Sequence, residues 1–528
     1  MTTTTTTTRS TRTASAGGFP GYGEDAPLDL GPLSDAAVAG LLGRIRDGSF
    51  ADFADAAARV GNCAHPIRLT GTSTTIDRHT GEVLGSFSSA GAPLGVVMVP
   101  CGNRRESVCP ACSRVYAADT FQLIRSGVAG GKTVPESVAA HPLVFATLTA
   151  PSFGHVHGHQ DGKPCRPAVR GPGRCVHGRP TICRKTHDED DELIGQPICP
   201  DCYDYPGHVL WQYHAPELWR RFTITLRRHL AARLGVSAAR LGEVVTVQYA
   251  KVAEYQRRGI IHFHALIRLD GPKTDAGFAD PPAWLTAEHL AETIGEAARA
   301  VTVTAPAPED DEAARVLRFG RQLDARPVHT AAARAHGLDD DAQGLSAEQV
   351  AGYLAKYATK TAGDPTSDNP HTARIRSLCR HYGETARQRQ ADGRPILGAS
   401  STNGRDVYLK LSGWVHMLGF RGHFATKSRR YSITLGRLRR ARRRFAHLLA
   451  ESARTGTPLD VADLETRLLA EDDDETTLVI GSWTYAGTGW TNPAETALAL
   501  AAAARAREYA QWRADQRRTR NPIREAGE

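Results

Sequence analysis

Apolar and polar positions alternate most sharply in residues 260–267, IIHFHALI. A strand there puts Ile261, Phe263, Ala265 and Ile267 on one face and His262 and His264 on the other. The two imidazoles then point the same way, roughly 7 Å apart along the strand. Residues 143–152, LVFATLTAPS, read as a second apolar, β-branched strand that ends at Pro151, and residues 244–248 as a third. Helical periodicity takes over in residues 346–360, SAEQVAGYLAKYATK, which open with Ser346 and Gln349 in an N-cap pattern. Tyr353 and Tyr357 stand four apart on one helix face, with Lys356 and Lys360 beside them. Residues 214–234 form another helix, striped by Leu218, Phe222, Leu226, Leu230 and Leu234 and arginine-rich on its opposite face. Further helices are predicted over residues 33–60 (two short ones), 287–300, 375–391 and 436–454, and from a cap near Asn492 to Arg520. Short strands are predicted over 63–85, 94–98 and 301–335.

Two imidazoles on one strand face are half of a site for a divalent metal, because His is the commonest protein ligand for transition metals. Glu254 precedes His262 by eight residues and adds a carboxylate if the intervening QRRG turns the chain back. The plain alternatives are a polar sheet face that binds nothing and a tyrosine pair buried in a core.

The motifs occur in a telling order. TLTAPS at 147–152, Glu254 with HFH at 262–264, and YLAKYATK at 353–360 together resemble the three motifs of the two-tyrosine HUH endonucleases. These are the rolling-circle replication initiators of small phages and plasmids. The cysteine-rich flanks and residues 414–431, WVHMLGFRGHFATKSRRY, are similar to replication initiators of actinobacterial plasmids and integrative elements. The resemblance covers roughly residues 95–435 and rests on the motifs taken together. It implies an α+β fold: an HUH core, an antiparallel sheet with packed helices, carrying inserted cysteine-rich zinc modules and a basic helical C-terminal region.

The resemblance also implies a chemistry. His262, His264 and Glu254 would hold Mn²⁺ or Mg²⁺, and Tyr357 or Tyr353 would attack phosphorus, leaving a 5′-phosphotyrosine and a free 3′-OH. Tyr357 is the first choice because it lies between Lys356 and Lys360, which would stabilise phosphoryl charge. A second tyrosine allows a second cut and rejoining of ends. The implied partners are origin DNA, single-stranded at the nick, and a host helicase and polymerase.

Composition fits such partners without requiring them. The 528 residues carry a net charge of +8, mostly from arginine, which suits phosphate contacts. No run of 18 apolar residues exists, so no membrane span is expected, and MTTTTTTT opens a polar tail without a secretory core. A cytoplasmic protein follows by default, and its ten cysteines are then read for metal rather than for disulfides. Cys101, Cys109 and Cys112 offer a structural Zn²⁺ site whose fourth ligand is Cys63 or a His. Among Cys165, Cys175, Cys183, Cys199 and Cys202, the Cys199–Cys202 knuckle completed by Cys175 and Cys183 offers another, with His177 and His187 nearby. In residues 414–431, Arg421, Lys427, Arg429 and Arg430 interleave with aromatics, a pattern suited to single-stranded DNA.

The expected layout is a tail over 1–30, an N-terminal knuckle region over 31–140 and a catalytic domain over 141–362. That domain carries insertions at 155–210 and 271–345, a continuation over 363–435 and a basic helical region over 436–528. Two other readings stay open: a two-tyrosine HUH transposase or relaxase, and a non-catalytic zinc-containing DNA-binding protein. A zinc hydrolase is disfavoured because no HExxH helix is present.

Overall fold

A computed structural model of the chain describes residues 34–92, 94–166, 173–274, 277–328, 350–355, 369–398, 404–470 and 477–520. It is mixed α+β with antiparallel sheets, the class expected from the sequence. The chain divides into two compact units, residues 1–116 with 471–528, and residues 117–470. These units cut across the expected layout. The region 436–528 is split, because the strand Thr477–Thr488 pairs antiparallel along the whole of Ile67–Asp77 in the first unit. Strand partners are chosen across the fold, and period-two patterning does not name them.

In the first unit, Ile67–Asp77 is also flanked by Val83–Ser88 and, at its start, by Val97–Val99. Phe53, Val60, Trp490, Ala499 and Ala503 pack around the thiols of Cys63, Cys109 and Cys112 in a small core.

Among the described residues of the second unit, five strands form one antiparallel sheet. They are β1 (Leu143–Leu148), β2 (Thr246–Tyr255), β3 (Ile261–Asp270), β4 (Leu323–Pro327) and β5 (Ala425–Lys427), in the order β4-β1-β3-β2-β5. The face bearing Ile261, Phe263 and Ala265 is covered by helices α1 (Tyr205–Arg233) and α2 (Ala287–Ala300), with Trp219 packing on Phe263 and Tyr249. Of the predicted stripe, Leu218, Phe222, Leu226 and Leu230 are fully buried beneath α1 and Leu234 is half-buried.

Helix α1 begins nine residues before the expected start. Asp204 accepts from the Gly207 amide as its cap, and residues 207–215 are buried on every side, so they carry no amphipathic period to read. The stretch 271–345, expected as an insertion, is in part core: α2 packs on α1, β1 and β4, and β4 pairs with β1 as an edge of the sheet. Helix α3 (Pro370–Ala391) buries Cys379, Tyr382 and Ala386.

The opposite face of the sheet carries His262 and His264 and, further along β3, the fully buried Arg268. Its guanidinium binds Asp270 through two hydrogen bonds, 2.6 and 2.8 Å, lies over the Tyr431 ring and donates to the Gly127 carbonyl. His141 completes the Asp270 shell at 2.8 Å. Removing one partner of such a pair strands a charge in a low dielectric, so Arg268→Ala is expected to cost about 3–5 kcal/mol. A urea titration of the full chain measures this; a loss below about 1 kcal/mol would show that the pair adds nothing net.

Candidate active site

The turn between β2 and β3 decides the site. The Gln256 amide donates to the Ile260 carbonyl (2.8 Å) and the Gly259 amide to the Gln256 carbonyl (2.9 Å), with Gly259 at φ +76°, where a side chain would strain the backbone. This turn brings QRRG back so that Glu254 lies directly opposite His262, and directly paired residues share a sheet face. His264 lies opposite Thr147 of β1.

Three ligand atoms converge. Glu254 Oε2 is 3.0 Å from His262 Nε2 and 3.2 Å from His264 Nε2, and the two Nε2 atoms are 3.1 Å apart. An octahedral ion with bonds of about 2.1 Å has neighbouring ligands about 3.0 Å apart, so these atoms fit one triangular face and leave the opposite face for water or substrate. His264 is held in place from behind: Thr147 Oγ1 lies 3.1 Å from Nδ1, and Phe145 stacks on the ring at 5.7 Å and 14°. When a cation replaces the proton on the Nε2 that faces Glu254, the ring keeps its proton on Nδ1, which donates to Thr147.

Burial also pushes the His264 pKa down, favouring the neutral ring that a metal requires. Burial alone would raise Glu254, but hydrogen bonds from His262 and His264 outweigh it and hold the carboxyl below its ordinary value. The site opens at His262, the most exposed of the three side chains. Thr147→Val, which removes the hydroxyl and keeps the shape, is expected to weaken Mn²⁺ binding about 10- to 100-fold. Calorimetric titration checks this, and an unchanged affinity would assign the orientation of His264 to Phe145 alone.

Tyr353 stands against this set. Residues 350–355 are helical, and Val350, Ala351, Leu354 and Ala355 are buried, whereas Tyr353 is 41% exposed. Its ring meets His264 edge-on at 5.7 Å and Phe145 at 5.6 Å. A core role is therefore not its place. Tyr357, Lys356 and Lys360, with Ser346 and Gln349, lie outside the described residues.

The expected DNA contacts divide. Arg429 and Arg430 are exposed. Arg421 stacks on Tyr213 at 4.6 Å and donates to its carbonyl, and Lys427 turns inward to the carbonyl of Ser432 at 2.7 Å, where burial lowers its pKa to about 8. Phe420 and Tyr431 are fully buried, so they offer no face for base stacking.

All the cysteines but Cys379 gather into three sets whose ligand atoms lie close enough to hold a structural metal such as zinc. Cys63 joins Cys101, Cys109 and Cys112, so the open fourth position in that reading is met by a thiol. The other grouping differs from expectation. Cys175 meets Cys199, Cys202 and His177, whereas Cys183 meets Cys165, His157 and His187. Cys183 lies eight residues beyond Cys175, but the bridge between Arg166 and Cys183 draws it toward Cys165 instead. His157 was missed from the sequence, where HVHGH at 155–159 was the available signal; Thr147 was read only as part of TLTAPS, without its contact to His264.

Among the described residues, no helix is long and apolar enough to cross a membrane. A family described as "Replication initiator protein, pSAM2" matches residues 49–504. A replication initiator protein of Streptomyces ambofaciens is 41% identical over 474 residues, which cover 88% of this chain and 93% of that protein. No solved structure matches the chain. A match that spans both units and every motif described above places this chain in the pSAM2-type replication initiator family.

Proposed function

We propose that this protein initiates rolling-circle replication by nicking one strand of an origin through a tyrosine nucleophile, as a two-tyrosine HUH endonuclease. The observation that carries the reading is Tyr353 standing edge-on to His264, beside two imidazoles and a carboxylate that converge from neighbouring strands. His262, His264 and Glu254 would hold Mn²⁺, which suits two nitrogen donors, or Mg²⁺. Such an ion, when bound, neutralises charge on a scissile phosphate oxygen.

The chain's own residues do the rest. The phenolic oxygen of Tyr357 or Tyr353 attacks phosphorus, and the P–O3′ bond breaks. The upstream piece leaves with a free 3′-OH, its oxygen taking up the proton that the phenol loses, while the 5′-phosphate of the downstream piece becomes a tyrosine ester. That 3′-OH would prime a host polymerase behind a helicase. Attack by a 3′-OH on the ester later reverses the step, restores the tyrosine and rejoins the ends. Lys356 and Lys360 would balance phosphoryl charge, and Arg429 and Arg430, which are exposed, would contact the DNA backbone. Zn²⁺ in the Cys63 set would fix the first unit.

Family membership favours initiation over transposition or conjugative relaxation. The test is a covalent adduct between the full chain and single-stranded origin oligonucleotides, resistant to denaturation and dependent on Mn²⁺. Origin binding with no adduct under any metal condition would leave the non-catalytic DNA-binding reading.

A further inference from the structure

The described residues of 154–198, between β1 and α1, have almost no apolar interior. Among the described residues 154–198, the buried side chains are Cys165, Cys183, His187 and Pro197, and Val176 is 94% exposed. Three of those four carry metal-ligating atoms. A segment with so little core needs another source of folding free energy, and a metal is the usual one.

The ligand atoms have the spacing of two tetrahedra. In the first set, His187 Nε2 is 3.4 Å from Cys183 Sγ and 3.2 Å from His157 Nδ1, and Cys165 Sγ is 3.9 Å from His157 Nδ1. In the second, Cys175 and Cys199 sulfurs are 3.7 Å apart, and His177 Nδ1 is 3.2 Å from Cys202 and 3.8 Å from Cys199. Zinc bonds of about 2.3 Å to sulfur and 2.0–2.1 Å to nitrogen give tetrahedral edges of roughly 3.3–3.8 Å. A disulfide would need about 2.05 Å, and all ten thiols are free.

Neighbouring groups suit these roles. His187 is held through Nδ1 by Asp191 at 2.7 Å, which directs Nε2 at the set, and the Gly158 amide points at Cys165 sulfur at 3.3 Å.

The order of ligands along the chain carries the inference further. His157 and Cys165 belong to the first set, Cys175 and His177 to the second, Cys183 and His187 to the first, Cys199 and Cys202 to the second. We infer that residues 153–204 form a cross-braced module holding two zinc ions, one in a Cys₂His₂ site and one in a Cys₃His site, neither of which persists without the other. Each ion closes a loop that contains a ligand pair of its neighbour, so losing one frees the chain that positions the other.

The module is joined to the site already described. Arg257, in the turn between Glu254 and His262, donates to the Glu189 carbonyl at 2.9 Å, and a Cβ on Gly195 (φ +86°) would fall 2.3 Å from the Arg257 carbonyl oxygen. Backbone therefore lies on backbone at the turn that sets the register of the ligand strands.

The inference is tested on the full-length chain without any nicking assay. Zinc is counted in the purified protein, and iodoacetamide labelling is read cysteine by cysteine by peptide mass spectrometry, before and after 1,10-phenanthroline. The expected result is that Cys165, Cys175, Cys183, Cys199 and Cys202 resist labelling in the native chain and all label at least tenfold faster after chelation. Cys199→Ser is expected to lose two zinc ions relative to the native protein and to unmask Cys165 and Cys183. Immediate labelling of the exposed Cys202 in zinc-replete native protein would overturn the module. Loss of one ion or none in Cys199→Ser, with Cys165 and Cys183 still protected, would overturn the cross-brace. If that variant does not fold, native labelling still decides the presence of the ions.

Discussion

The double variant Tyr353→Phe with Tyr357→Phe is expected to form no covalent adduct with origin DNA, a loss of at least about 10³-fold, while binding the same oligonucleotide unchanged. Phenylalanine keeps the ring that packs on His264 and Phe145 and removes only the nucleophilic oxygen. A fall in binding would therefore mean something other than lost chemistry. The single variants assign the order of events. If Tyr357 attacks first, Tyr357→Phe alone loses the initial nick, whereas Tyr353→Phe still nicks but fails to rejoin ends after a round of synthesis. The measurement is a denaturing gel of labelled oligonucleotide with wild type and the three variants. A wild-type amount of adduct from the double variant would end the tyrosine reading.

Glu254→Ala, with His264→Ala beside it, is expected to show the second large effect. Each removes one of three ligand atoms on a triangular face and leaves the remaining two unable to hold an ion against water. The expected loss is several kcal/mol of transition-state stabilisation, about 10²- to 10⁴-fold in the nicking rate, together with loss of measurable Mn²⁺ binding. Glu254→Ala also removes the charge that hydrogen-bonds both imidazoles, so circular dichroism and a urea midpoint must accompany the rate. Nicking by a folded Glu254→Ala chain at the wild-type rate in EDTA would show that the three residues hold each other and not a metal.

The zinc module bears on this result. Because Gly195 lies against Arg257, stripping zinc with a chelator is not equivalent to removing Mn²⁺ from Glu254 and the histidines. Readdition of Mn²⁺ alone and of Zn²⁺ with Mn²⁺ separates the two.

Much of the fold was legible where local rules suffice. Helix Ala287–Ala300 lies where a helix was expected, and Leu218, Phe222, Leu226 and Leu230 of the predicted stripe are buried, with Leu234 partly so. The first third of α1 was not legible, because a helix buried on all sides has no face to announce. Strand β4 falls within the stretch 301–335 where short strands were expected, but its place at the edge of the sheet was not legible, because it is set by pairing with β1. Aromatics among cations in residues 414–431 read as a stacking surface, but Phe420 and Tyr431 are core: composition does not say which way a side chain points.

The sequence by itself determined the histidine pair. Period two puts His262 and His264 on one strand face whatever surrounds them, and helical spacing does the same for Tyr353 and Tyr357. It also pointed to clusters among the cysteines other than Cys379, though not to how they sort. The tertiary structure alone decided that Glu254 is the carboxylate, because that depends on a turn returning the strand in one register and not its neighbour. It alone brought Thr147 behind His264 and sorted eight interleaved ligands into two sets. Those are contacts between distant segments, set by strand pairing and by which loops can close together, and no local periodicity encodes them.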